Sequence, residues 1–362
     1  MMPALCRESL NVLVTGVGSP AASGVIRSLR RVPDWKIRVT GVDINPNATG
    51  AVWCDDFHVV PRALEPLFPK TILQLCQKQS IDVIVPLVTK ELEVLAAMQL
   101  ALQSSHTHLA LSTQETLRIA NHKGLLLNAL LQHSVKVPNF VTAKNVTEFQ
   151  QAIQLLSRDG QPVCFKPIYG DGSRGFHIID ERSDEARRLF EDKPDSTYVS
   201  KSELLRVIHG AKHMPELVVM EYLPGDEYSV DVLARNGETL VAIPRLREQM
   251  VNGITTKGVI VNHTDVVLYV KRVVSALSLH GNVGVQVRRN AAGEVRILEV
   301  NPRLQGTTVH CTAAGVNLPW LGIKLALSQP ISDEELHVRY GTRMMRHWSE
   351  IFITDAGELY TI

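Results

Sequence analysis

Residues 282–303 read NVGVQVRRNAAGEVRILEVNPR, a string patterned for two paired strands. Val283, Val285 and Val287 alternate with small or polar residues, the period of a half-buried strand. Asn290 to Gly293 carries turn residues, and Val295, Ile297 and Val300 resume the apolar pattern, so the stretch predicts a β-hairpin. Gln286 falls in the first strand, and Glu299 and Asn301 close the second. Positions two apart on a strand share a face. One carboxylate, two side-chain amides and Arg303 then converge at one end of the hairpin. Oxygen donors of this kind suit Mg²⁺ held jointly with the phosphates of a nucleotide. Ordinary polar residues on a surface hairpin would give the same string.

Other function classes are excluded by composition. The chain has 362 residues, 45% hydrophobic and 21% charged, enough for two or three domains with real cores. A net charge of +1 provides no field for nucleic acid or an anionic membrane, so neither is an expected partner. Five cysteines, at 6, 54, 76, 164 and 311, are scattered without a C-x-x-C, which points to a reducing, cytoplasmic compartment. Met1 to Leu10 holds Arg7 and Glu8 and has no apolar core of a signal peptide. No apolar run approaches the ~18 residues needed to span a bilayer.

The first 112 residues alternate strand and helix. NVLVTG (11–16), Ile37 to Asp43, DVIVPL (82–87) and His108 to Leu111 read as strands. Helices are expected between them, and such alternation predicts parallel βαβ units. Gly16-x-Gly18-x-x-Ala21 with Asp43 downstream fits a relaxed dinucleotide fingerprint, which keeps an NAD-dependent oxidoreductase as an alternative. Pro20 inside that loop removes an N–H that would face a pyrophosphate.

Beyond Ser112 the pattern changes. Lys123 lies in the first turn of an expected helix, where a cation opposes the helix dipole unless an anion is near. PVCFKPIYGDGSRG (162–175) reads as a strand with Lys166 at its end and a loop with Gly170, Gly172 and Gly175 around Ser173. Three glycines in six residues allow backbone N–H groups to approach phosphates. LVVMEYLPGDEYSVDV (217–232) reads as two strands joined through Pro224-Gly225, with Glu221, Leu223 and Glu227 at the junction. Arg245 and Arg247 share one face of the next strand, a spacing that can grip a carboxylate. NGITTKG (252–258) reads as a polar loop.

The strand lysine with its glycine loop, the segment Glu221-Tyr-Leu-Pro-Gly-Asp-Glu227, and Gln286 followed by Glu299-Val-Asn301-Pro-Arg303 stand in a fixed order. Together they resemble the ATP-grasp superfamily, most closely the ATP-binding halves of the carbamoyl-phosphate synthetase large subunit, over about residues 10 to 330. The resemblance implies a mixed α/β and α+β architecture. A parallel α/β pre-ATP-grasp domain (1–112) would precede a two-lobed ATP-grasp domain (113–330; small lobe about 137–222, large lobe about 223–330) and a C-terminal extension (331–362). It implies ATP with Mg²⁺ or Mn²⁺ as cofactors. Lys123 and Lys166 would contact phosphates, and the loop of Gly170, Gly172, Ser173 and Gly175 would cover them. Glu221 and Leu223 would face adenine and Glu227 the ribose. Gln286, Glu299 and Asn301 would hold the metal, and Arg303 would stabilise the transferred phosphoryl group. Arg245 and Arg247 are the candidates for a substrate carboxylate.

The implied activity is an ATP-dependent carboxylate–amine (or carboxylate–thiol) ligase passing through an acyl phosphate. Its substrates would be small molecules, and the reading allows a homodimer. A non-catalytic nucleotide-binding module of the same fold is the second alternative. The chain departs from the synthetase at Lys123 and Lys166, where the synthetase carries arginine. It departs again after Arg303, where Leu-Gln-Gly-Thr-Thr follows. It also holds one copy of the ATP-grasp unit rather than two, which points away from carbamoyl phosphate synthesis.

Overall fold

The structure is a computed structural model. It describes residues 8–157, 160–170, 174–180, 190–191, 197–211, 213–251 and 253–362. Compact packing groups the chain into two units. The first comprises residues 1–121, 228–286 and 300–362; the second comprises 122–227 and 287–299. No described helix is long and apolar enough to cross a membrane.

The first unit opens with strands β1 (Glu8–Thr15), β2 (Trp35–Asp43), β3 (Asp56–Val59) and β4 (Val83–Val85), all parallel, in the order β3-β2-β1-β4. This is the expected parallel sheet, with β3 as an unforeseen member. His108 reaches it only as an isolated bridge to Val83. Strand alternation sends Val12 and Val14 into one core and Leu13 into another. Phe68, Ile72, Leu92 and Leu95 from helices Phe68–Lys78 and Thr89–Ala97 cover the Leu13 face. Val25, Ile26 and Leu29 of helix Ala22–Leu29 join Leu318, Leu321 and Ile323 of helix Leu318–Ala326 over the other face. Burial on both faces explains why these strands read as continuous apolar runs.

In the second unit β5 (Phe140–Ala143), β6 (Val163–Pro167), β7 (His177–Ile179), β8 (Tyr198–Val199) and β9 (Leu217–Glu221) form a sheet in the order β5-β9-β6-β7-β8. All its pairings are antiparallel except β7 with β8. Phe149, Ala152 and Ile153 of helix Val146–Leu156 pack on it with Val163, Phe165 and Val219.

The third sheet takes β10 (Glu227–Arg235), β11 (Glu238–Val251), β12 (Ile254–Ile260), β13 (Gly281–Arg289), β14 (Val295–Asn301) and β15 (Arg343–Met345), in the order β14-β13-β10-β11-β12-β15. The hairpin of β13 and β14 matches the alternation from which it was expected. The polar loop expected over 252–258 is in large part a strand, Ile254–Ile260. Its residues pair with β11 on one side and with β15 on the other. Gly281 has φ +86°, and a Cβ there would stand 2.2 Å from the Ala110 carbonyl oxygen, so β13 can start beside Leu111 only as glycine.

At the carboxyl end of β1 the Thr15 hydroxyl donates to Glu91, which is 5% exposed. Burial pushes the Glu91 carboxyl up to about 7; the Thr15 bond opposes that shift and the Asp43 charge adds to it. A carboxyl raised above its unfolded value stabilises most at low pH, and that contribution fades as pH rises from about 4.5 through 7. Between pH 4.5 and 8 the wild type should lose roughly 3 kcal/mol more stability than Glu91→Gln. Denaturant melts of both proteins across that range measure the difference.

Candidate functional site

In the second unit, helix Lys123–Gln132 begins at His122, whose Nδ1 accepts from the Leu125 N–H at 3.1 Å. Lys123 is 7% exposed, and its Nζ donates to the Gly170 carbonyl at 2.7 Å. The Lys123 N–H also reaches the Ile168 carbonyl, so the helix start and the chain leaving β6 are tied together. Lys166, near the end of β6, donates to the Leu298 carbonyl at 2.8 Å. Gly170 and Gly175 both have positive φ, +144° and +70°. Gly172 and Ser173 lie outside the described residues.

Glu221 ends β9 and accepts from the Asn139 side-chain amide at 2.9 Å, while Leu223 is buried. Glu227 lies 3.9 Å from Arg288. Arg288 also donates to the Gly225 carbonyl at 2.9 Å and packs over Tyr222 at 5.2 Å. Sequence reasoning missed Arg288. The available signal was its place two residues past Gln286, on the same strand face. It braces the turn 222–227 that carries the expected base- and ribose-facing residues.

The first unit holds the arginines. Ser229 pairs with Arg245, and Asp231 with Ile243, so Asp231 and Arg245 are diagonal neighbours on one face. Arg245 is 1% exposed. Its Nε donates to Asp231 at 2.5 Å, Nη2 to Gln305 at 3.1 Å and Nη1 to the Thr307 hydroxyl. The other Asp231 oxygen accepts from the Thr308 hydroxyl at 2.6 Å, and the Cys311 thiol donates to the carboxylate at 3.4 Å. Burial works against the Arg245 charge, but Asp231 beside it holds the guanidinium's affinity for its proton above the ordinary level. A buried guanidinium with all three nitrogens engaged does not meet a substrate. The expectation for Arg245 is therefore corrected: it secures the loop after β14. Gln305 lies against bare Gly284, where a Cβ would come within 1.9 Å of its Nε2.

Arg247, two residues on, is half-buried. It donates to Thr255 at 3.0 Å, to the Gly253 carbonyl at 2.5 Å and towards Gln286 Oε1 at 3.5 Å. Arg303 donates through Nε to the Thr89 hydroxyl at 3.0 Å, so the first turn of helix Thr89–Ala97 positions it. Gln286, Glu299 and Asn301 are each half-buried on the β13–β14 hairpin. No three His, Cys, Asp or Glu side chains converge among the described residues. One carboxylate with two amides fits a hard cation that takes its remaining ligands from water and phosphate. Asp43 accepts from the Gly18 N–H at 2.7 Å and from the Asn45 N–H at 2.9 Å, tying the loop after β1 to the turn after β2.

Residues 213–347 match the family described as ATP-grasp in the biosynthetic pathway with Ter operon, and residues 12–110 match the PylC-like N-terminal domain. The carbamoyl phosphate synthase large chain of Methanothermobacter thermautotrophicus is 20% identical over 313 residues. That alignment takes in 82% of this chain and 28% of that protein. N5-carboxyaminoimidazole synthetase from Staphylococcus aureus, solved with ADP, superposes with a TM-score of 0.65 at 16% identity, covering 91% of this chain and 80% of that one. The L-amino acid ligase from Bacillus licheniformis gives 0.64 at 16% identity, covering 91% and 77%. At such identities the likeness is one of fold.

Breaking a buried pair leaves its partner's charge bare. Asp231→Asn is expected to cost about 3–5 kcal/mol in urea melts, whereas replacing a surface partner such as Glu115 of the Arg118 pair should leave the melt almost unchanged.

Proposed function

We propose that this chain, with its ATP-grasp domain behind a PylC-like N-terminal domain, is an ADP-forming ligase that joins a small-molecule carboxylate to an amine. The observation that carries the reading is the placement of Glu299 and Asn301, two apart at the end of β14, on a strand adjacent to β13, which bears Gln286. These three would hold Mg²⁺ or Mn²⁺, which supplies charge neutralisation for phosphoryl transfer. Lys123 and Lys166 would contact the phosphates of ATP. An ammonium has three donors, so the bond from Lys166 to a carbonyl leaves capacity for an anion. Backbone groups from Glu221 to Leu223 would read the adenine edge, and Glu227 would accept from the ribose. Gly170, Gly172, Ser173 and Gly175 would cover the phosphates.

In the proposed reaction the substrate carboxylate attacks the terminal phosphorus of ATP. ADP leaves, and an acyl phosphate remains. The amine then attacks the acyl carbon, loses a proton and expels phosphate. The main demand on the protein is positioning and charge stabilisation rather than acid–base work. Arg303, held on Thr89, would stabilise the phosphoryl group in flight. Arg247 would orient the carboxylate. A carboxylate–thiol ligation would use the same first half-reaction. The cytoplasm, where ATP is abundant, is the expected compartment.

The test is ADP release from Mg·ATP over a panel of carboxylates and amino acids. Glu299→Gln and Asn301→Ala should each lower the stimulated rate by at least ~100-fold, since a lost metal ligand removes several kcal/mol of charge stabilisation. Unchanged circular dichroism would exclude unfolding, and wild-type rates in both variants would refute the metal assignment. Lys166→Ala should weaken Mg·ATP about 10- to 100-fold by calorimetry, the worth of one charge-assisted contact.

A further inference from the structure

Glu91 is a buried acid that the ligation steps above leave unused. It stands in the first turn of helix Thr89–Ala97, just after β4, and is 5% exposed. One carboxylate oxygen accepts from the hydroxyl of Thr15, the last residue of β1. That hydroxyl in turn accepts from the Leu87 N–H at 3.4 Å, so the ends of the two strands are tied together. The other Glu91 oxygen bonds nothing among the described residues. A buried carboxyl with an oxygen left over is costly, and a donor from outside the chain relieves that cost.

Glu91 also stands where an open parallel sheet takes its ligands. In the order β3-β2-β1-β4 the chain leaves β1 towards β2 and β3 on one side and returns to β4 on the other. Strand order reverses between β1 and β4, and ligands settle outside the carboxyl ends of the strands at such a point. Thr15 ends one of these strands and Glu91 follows the other. The same helical turn carries Thr89, whose hydroxyl holds Arg303 Nε at 3.0 Å. A cleft lined in part by Pro86, Arg303 and Leu304 runs along β4.

We propose that Glu91 binds the amine of the second substrate at the end of β1 and accepts a proton from it during ligation. The assignment rests on the ligase reading. In the second half-reaction one proton of the incoming ammonium passes to the Glu91 carboxylate. The freed lone pair forms the C–N bond to the acyl carbon. The C–O bond to phosphate breaks and its electron pair stays on the phosphate, which also takes the second nitrogen proton. Glu91 then returns its proton to solvent. The substrate recognised in this way is an amine rather than a thiol, because a thiol brings no cation to the carboxylate.

The charges on the elements around Glu91 set the pH at which it can act. Asp43, at the end of β2, adds to the effect of burial, and together they push the carboxyl up to about 7 against the Thr15 bond. Arg303 is held on Thr89, and Lys90 and Glu93 belong to the same helix as Glu91. Helix Gln114–Asn121 packs against that helix and carries Glu115 and Arg118, which pair with each other.

Calorimetry on the full chain, with methylammonium chloride as the probe, tests this. Only the ionised carboxylate attracts a cation, so wild-type affinity should rise about tenfold between about pH 6 and about pH 8. Glu91→Gln keeps an oxygen for the Thr15 hydroxyl; it should bind at least ~10-fold more weakly at about pH 8 and show no rise. Thr15→Val removes a bond that favours the ionised form, so its rise should move to higher pH. Denaturant melts check that all three proteins are folded. Absence of methylammonium binding by the wild type at the higher pH, or an unchanged pH profile in either variant, would overturn the proposal. ADP release from Mg·ATP over the panel of acids is measured separately. If no acid stimulates it while methylammonium binds through Glu91, the ligase reading fails and the amine site stands.

Discussion

The Asp231–Arg245 pair is the constraint on which the third sheet and the loop after it depend. A carboxylate and a guanidinium taken out of water each cost several kcal/mol, and attraction offsets this only when the remaining donors and acceptors are satisfied. Here the satisfaction comes from Gln305, Thr307 and Thr308. Those residues cannot move away without stranding a charge. The loop is thus held more firmly than its own short, polar sequence would allow. Arg303 sits at its start, and Cys311, a buried thiol held protonated, sits at its end.

Arg303 has a second support from the opposite direction in the sequence. Its Nε rests on Thr89, and Glu91 in the same helical turn takes the Thr15 hydroxyl at the end of β1. One turn of helix therefore ties the central strand of the parallel sheet to the arginine proposed to meet the phosphoryl group. The glycine loop after β1 is pinned by Asp43 at the end of β2, and its Pro20 lies beside Gly306.

What was legible in the sequence was what local pattern dictates. Alternating valines and a four-residue turn specify the hairpin, and buried apolar runs specify the parallel strands. The misses depend on partners distant in the chain. β3 has only four residues, none of them fully buried, and it becomes a strand by pairing with β2. Residues 254–260 carry Thr, Thr, Lys and Gly, and only β11 and β15 on either side make them a strand. Arg245 and Arg247 looked alike from their spacing. Which of them meets the core depends on a register that brings Asp231 diagonal to one and leaves the other beside Gln286. Arg346 lay in what read as a mere extension, because its neighbours are 40 and more residues away.

The parallel sheet has a consequence for how the protein is made. One face of β1 to β4 is covered by local helices, but the other is completed by Leu318, Leu321 and Ile323, some 300 residues later. Trp35 finds its aromatic neighbour only in Trp320, at 5.3 Å. During synthesis residues 8–85 emerge with an apolar face uncovered, and they keep it until residues 318–323 have left the ribosome. Contacts of such long sequence separation form slowly, and the exposed face is sticky meanwhile. The N-terminal segment is therefore poorly suited to expression by itself, and a premature stop anywhere before residue 318 leaves an aggregation-prone fragment rather than a smaller working domain.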